Sequence, residues 1–162
     1  MHFNQAARQS GLFYSSSFTA MKLLHSVSYL VVLACVGLLT GCATGMSTRK
    51  ATDLTRFKKI YVESRLADNH RIDAQIAAAL NALGREATFG VATMRPDGVD
   101  AIVSYTDRWE WDFKNYLIEI KIDLRDARTD KPLATGTYYQ ASLKTKPSEE
   151  VIRLILKPLF GP

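Results

Sequence analysis

Cysteine is almost absent from this chain of 162 residues. There are two, Cys35 and Cys42, and both lie in or beside an apolar stretch near the N-terminus. The body therefore has neither a disulfide framework nor a cysteine metal site, and it must be stable by packing alone. Histidine is scarce as well, and past the N-terminal segment only His70 remains. A Ser-His-Asp or Cys-His arrangement would have to be built on that one ring, and no serine stands in a G-x-S-x-G setting. A metal would have to be held by carboxylates, yet no Asp-rich loop has calcium-binding spacing. RPDGVD (95–100) lacks the glycine spacing of a phosphate loop. No cofactor or metal is expected. The excess of one charge is small: 21 basic and 16 acidic residues leave +5, dispersed along the chain, which argues against nucleic acid as a partner. Long apolar runs are also missing. The longest, Tyr29–Leu39, has 11 residues, whereas a membrane-spanning helix needs about 20.

What is present begins at Met21, where MKLLHSVSYLVVLACVGLLTGC places one lysine, an apolar stretch and then small residues in the order of a secretory signal. Residues 1–20 are a polar extension ahead of a segment that has its own Met, so they are either upstream of the true start or an overlong n-region. Leu39-Thr40-Gly41-Cys42 resembles a lipobox, the leucine, small, small, cysteine signature of bacterial lipoproteins. The resemblance implies cleavage before Cys42 and acylation of its thiol and of the new amino terminus. Because Ala43 is not aspartate, it also implies default sorting to the outer membrane of a Gram-negative cell. Several acyl chains make physical sense, since one chain alone binds a membrane only marginally. Residues 1–41 are thus expected to leave as a signal peptide, and the membrane is a partner through the lipid on Cys42.

Residues 43–55 are small, polar and aperiodic, so 42–55 is expected to be a lipidated tether, with an end-to-end distance of roughly 20 Å. Residues 56–162 are expected to form a single domain. RFKKIYVES (56–64) reads as a strand. Ile72, Ile76, Leu80 and Leu83 recur at helical spacing, which predicts a helix over 69–83 with Asp68 or Asn69 as cap and Gly84 as stop. ATFGVAT (87–93) is a weaker strand, and RPDGVD is a turn. AIVSYTDRWEWDF (101–113) and YLIEIKIDL (116–124) alternate over their whole length and predict an antiparallel hairpin. LATGTYYQASL (133–143) predicts another strand, with Gly136 as a bulge, and PSEEVIRLILKPLF (147–160) a closing helix. The predicted class is α+β: a mainly antiparallel sheet of four to five strands with two helices packed on one face.

For the hairpin, Phe113 opposite Tyr116 sets the expected register. It pairs Trp111 with Ile118, Trp109 with Ile120, Asp107 with Ile122 and Tyr105 with Leu124 on one apolar face. On the wet face it pairs Glu110 with Glu119 and Arg108 with Lys121, a mild cost that diagonal opposite charges would offset.

VDAIVSY, IDLRDARTDKPLATG and EEVIRLILKPLF are similar to elements of small bacterial envelope lipoproteins classed as a domain of unknown function. Those often carry Trp-x-Gly in the strand after an aspartate turn, and this chain has Ala134 in place of the Trp. The resemblance implies no catalytic residues.

Tyr105, Trp109, Trp111 and Phe113 form an aromatic stripe. Same-face isoleucines favour a core role, although Trp111 and Phe113 stand near the hairpin tip. Asp107 is the misfit in that row, since a buried unpaired carboxylate is costly. Either a bulge or a partner (a tyrosine hydroxyl, an arginine, a helix start) satisfies it, or Tyr105, Asp107, Trp109 and Trp111 line a ligand site. His70 reads as a solvated residue of the first helical turn. Glu110 and Asp112, roughly 7 Å apart on one strand face, read as a solvated surface. The expectation is therefore a non-enzymatic, lipid-anchored cell-envelope protein that binds an envelope partner or supports an assembly. The alternative is a periplasmic module for glycan or an apolar ligand.

Overall fold

The computed structural model describes residues 44–141 and 145–161. The expected signal peptide 1–41 and the lipidation candidate Cys42 lie outside the described residues. The elements are β1 (Gly45–Lys50), β2 (Lys59–Glu63), α1 (Ile72–Ala82), β3 (Glu86–Gly90), β4 (Ala101–Trp111), β5 (Asn115–Asp126), β6 (Pro132–Tyr139) and α2 (Ser148–Phe160), with a short 3-10 turn at Ala92–Met94.

The helices form where apolar residues recur every three or four positions. In α1, Ile72, Ile76 and Leu80 are buried, and the helix ends at Gly84, whose φ of 75° suits a residue without a Cβ. In α2, Val151, Ile152, Ile155, Leu156 and Leu159 make the buried stripe, with Glu149 and Glu150 in the first turn, where the helix dipole favours acids. Both stripes join one core with Ile60 and Val62 of β2, Val103 and Tyr105 of β4, and Ile120, Ile122 and Leu124 of β5. The two helices thus share one face of the sheet.

The sheet has six strands in the order β1-β6-β5-β4-β2-β3 and is mixed, against the expected four to five antiparallel strands. β2 is parallel to both β3 and β4, and the remaining pairs are antiparallel. The parallel pairs arise because α1 carries the chain from β2 over the sheet to β3. The connection through 91–100 then brings β4 to the other side of β2. That connection also covers Tyr61, whose hydroxyl donates to the Val91 carbonyl at 2.8 Å. β3 buries only Ala87, and so short an edge strand gives no periodicity from which its direction could be read.

The expected tether is also corrected. Gly45–Lys50 is an edge strand paired with β6, from Gly45 opposite Tyr139 to Lys50 opposite Ala134, so the domain begins well before residue 56. Five of its six residues are exposed. The backbone ladder rather than side-chain burial holds it there, which is why no apolar alternation announces it.

The hairpin is real but shifted by two residues. Tyr105 faces Ile122, Asp107 faces Ile120 and Arg108 faces Glu119; then a bulge at Ile118 puts Trp109 opposite Leu117 and Trp111 opposite Asn115. The shift replaces the like-charged pairs with Arg108 against Glu119, whose ion pair spans 3.4 Å. The bulge turns Leu117 to the core face, where it is buried beside the partly buried Trp109. Gly136 is no bulge: it pairs regularly with Thr48 and Ile122. A Cβ there would collide with Ile155 Cγ2, so the glycine lets α2 approach the sheet. Gly136→Ala should therefore cost about 1–3 kcal/mol, the usual penalty of overpacking, as a lower midpoint in urea unfolding.

Candidate functional site

The strand end of β2, the loop before α1 and the outer part of β4 meet in one polar cluster. Asp68 organises it. Its Oδ1 accepts the His70 N–H at 3.1 Å, and its Oδ2 accepts the Asp73 N–H at 3.1 Å and the Tyr105 hydroxyl at 2.6 Å. Asp68 thus serves the free N–H groups at the start of α1, as the sequence suggests. Arg71, at φ 54°, occupies the N-cap position itself and caps nothing with its side chain. Within the first turn, Asp73 accepts from the Ser64 hydroxyl at 2.6 Å, which ties α1 to the end of β2.

Partial burial pushes the Asp68 carboxyl up, but the Tyr105 hydroxyl and the backbone N–H groups of Asp73, Ile72 and His70 outweigh it. The net pKa lies below the ordinary carboxylate value. Tyr105 moves the other way: burial first, then its bond to the Asp68 anion, hold its phenol protonated well above the usual range.

Asp107 is satisfied by partners, the plainer of the two outcomes its position allowed. Its carboxylate pairs with the Arg65 guanidinium and accepts the Trp109 indole N–H at 2.6 Å. The side chain of Asp107 is 10% exposed and that of Arg65 42%, so solvent screens the arginine while the carboxylate depends on its bonds. Arg65 also places its guanidinium 5.9 Å from the Tyr105 ring centre. His70 is not a solvated first-turn residue: its ring stacks on Trp109 with centroids 3.6 Å apart and planes 15° from parallel. Stacking hides one indole face and leaves Trp109 half-buried.

Of the four residues proposed as a ligand site, Tyr105, Asp107 and Trp109 come together, and Trp111 does not. Trp111 is 71% exposed and Phe113 93%, their rings 6.2 Å apart at 39°. Both lie at the hairpin tip, outside the packed core. Glu110 and Asp112 are exposed there too. Sequence reasoning missed Arg65 and His70 as members of the cluster. Nothing in RLADNH marks them, because β4 reaches them across a gap of about 40 residues. Among the described residues no group of three or more His, Cys, Asp or Glu is placed to hold a metal ion. A separate concavity of about 480 Å3 lies on the open sheet face between Arg49, Ser104, Lys121, Asp123 and Thr135.

No family model matches this chain, and no curated protein matches it. Among solved structures the chain is similar to the PelC dodecamer from Paraburkholderia phytofirmans, with a TM-score of 0.56 and 16% identity, covering 74% of this chain and 99% of that one. A point variant of the same protein in a second crystal form gives 0.57 at 16% identity, over 74% and 100% of the two chains. At such identity the likeness shows the fold alone: the domain from β1 to α2 has the fold of that subunit.

Two variants test the cluster. Asp68→Asn should cost about 1 kcal/mol at neutral pH, the usual worth of a helix-start acceptor. Because the folded pKa of Asp68 is depressed, its contribution is full above the unfolded value of about 4 and fades as pH falls through the folded value. The stability gap between wild type and variant in urea titrations should therefore narrow on acidification. Asp107→Asn should lower the thermal midpoint, and an unchanged midpoint would show that the carboxylate is solvated.

Proposed function

We propose that this chain is a non-enzymatic, lipid-anchored protein of the cell envelope, held at the periplasmic side of the outer membrane, whose α+β domain supports an assembly there. The observation that carries the reading is the direction of the polar groups. Asp68, Tyr105, Asp107 and Arg65 bind one another and the start of α1, so they build the fold rather than face a substrate. The lipobox resemblance at Leu39–Cys42 supports the anchor. Support for assembly comes from the fold shared with a subunit whose solved form is a dodecamer. It also comes from β1 and β3, which end the sheet as edge strands and offer unpaired backbone groups to a neighbour.

The alternative, a glycan- or apolar-ligand-binding module, keeps one favourable observation, the exposed Trp111 with Phe113 beside it. Trp109 no longer serves it freely, since His70 occupies a face of its indole.

Cys42→Ala should accumulate as uncleaved precursor without acyl chains, while the wild type yields a mature chain beginning at an acylated Cys42. Mass spectrometry of the N-terminal peptide decides between them, and an unmodified residue 42 in the wild type refutes the anchor. Native mass spectrometry of the detergent-extracted protein should give an oligomer, and a monomer at every concentration would remove the assembly role.

A further inference from the structure

The register of the sheet places the N-terminal entry and the aromatic hairpin tip at the same end of the domain. Gly45 pairs with Tyr139, Tyr139 with Glu119, and Glu119 with Arg108, so these four residues form one row across β1, β6, β5 and β4. Past that row β1 has no further residue, whereas the β4–β5 hairpin continues through Trp111 to the loop 112–114. Three residues of strand, Arg108 to Trp111, carry the tip about 10 Å beyond the row. Three residues of chain likewise separate Gly45 from Cys42, a reach of at most about 11 Å. The chain between Gly45 and residue 42 is therefore long enough to span the distance from that row to the level of the hairpin tip.

The tip itself is built against local preference. Phe113 has φ 58°, a left-handed conformation that glycine or asparagine adopts readily and a bulky aromatic does not. The turn is closed by Asp112 N–H donating to the Lys114 carbonyl at 3.2 Å, and a glycine would make it with less strain. The aromatic side chain is thus kept where the backbone disfavours it, and it projects into solvent beside Trp111. Exposed Met46 of β1 and Tyr139 of β6 lie at the same end of the sheet. Aromatic residues, tryptophan above all, favour the boundary between headgroups and acyl chains.

We propose that Trp111 and Phe113 dip into the same lipid leaflet that receives the Cys42 acyl chains, so that the hairpin tip is a second membrane contact and sets the domain's orientation. The inference rests on the lipid-anchor reading. Glu110, Asp112 and Lys114 around the tip are exposed and charged, which limits immersion to the two rings and keeps the backbone at headgroup level. The domain is then not suspended on a slack tether. It is held at two points, the acylated terminus and the β4–β5 tip.

The test is tryptophan quenching with the mature lipidated protein reconstituted in phosphatidylcholine vesicles, with and without dibrominated acyl chains. The protein has two tryptophans, Trp109 and Trp111. The wild type should lose much of its emission in brominated vesicles. Trp111→Phe, which keeps only Trp109, should be quenched little, and Phe113→Gly, which relaxes the turn, should fold and show intermediate quenching. Equal quenching of wild type and Trp111→Phe overturns the proposal. So does a Trp111 signal that is unquenched but blue-shifted, which would mean that another copy of the chain covers the tip. The mass of the residue 42 peptide, read on the same sample, separates the two hypotheses. Acyl chains present with Trp111 unquenched sink the second contact alone, and acyl chains absent sink the anchor and this proposal together.

Discussion

The start of α1 is fastened to the middle of β4 by the Tyr105 hydroxyl, which donates to Asp68 at 2.6 Å. Asp68 also accepts from the N–H groups at the start of α1, so the same carboxylate that begins the helix ties it to the middle of β4. Tyr105 is buried, and its phenol stays protonated because burial and the neighbouring anion both oppose its ionisation. With the start of α1 held there, His70 is delivered onto Trp109 and Arg65 onto Asp107. Past Trp109 the strand is exposed.

The bulge at Ile118 adjusts the other half of the hairpin to that limit. By adding one residue on β5 it brings Leu117 to the core face while leaving the β4 alternation unbroken. It also sets Arg108 against Glu119 rather than against Ile118, its partner if the register at the tip simply continued. The apolar row of β4 thus divides in two: Tyr105 and Trp109 belong to the packed cluster, and Trp111 belongs to an exposed tip shared with Phe113. A stripe that is continuous in sequence is discontinuous in environment, because the helices are shorter than the hairpin they cover.

The same geometry bears on the proposed lipid anchor. A lipid on a slack, unstructured tether would let a domain turn freely. Here β1 is zipped to β6 from Gly45 onward, which leaves only a few residues between Cys42 and the sheet. Under the proposed anchor at Cys42, a domain so closely attached would have few orientations available to it, and the end nearest the bilayer would be the end that carries the exposed aromatics.

Much of this was legible in the residues. The helical spacing of Ile72, Ile76 and Leu80, the stop at Gly84, the long alternating hairpin and the amphipathic closing helix are local patterns, and local patterns follow from side-chain periodicity. That Asp107 needed a partner was equally plain, since an apolar row with one carboxylate has few solutions. The partner was not, because Arg65 lies 42 positions away and no pattern in one segment encodes its approach to another. The parallel pairing of β2, the capture of 45–50 as an edge strand and the two-residue shift of the hairpin were likewise decided by tertiary structure. Each depends on backbone groups finding partners across the sheet, and backbone groups are the same at every position. The chain's own residues determined which faces are apolar; only the packed fold decided where that cover runs out, and so which aromatics are core and which are surface.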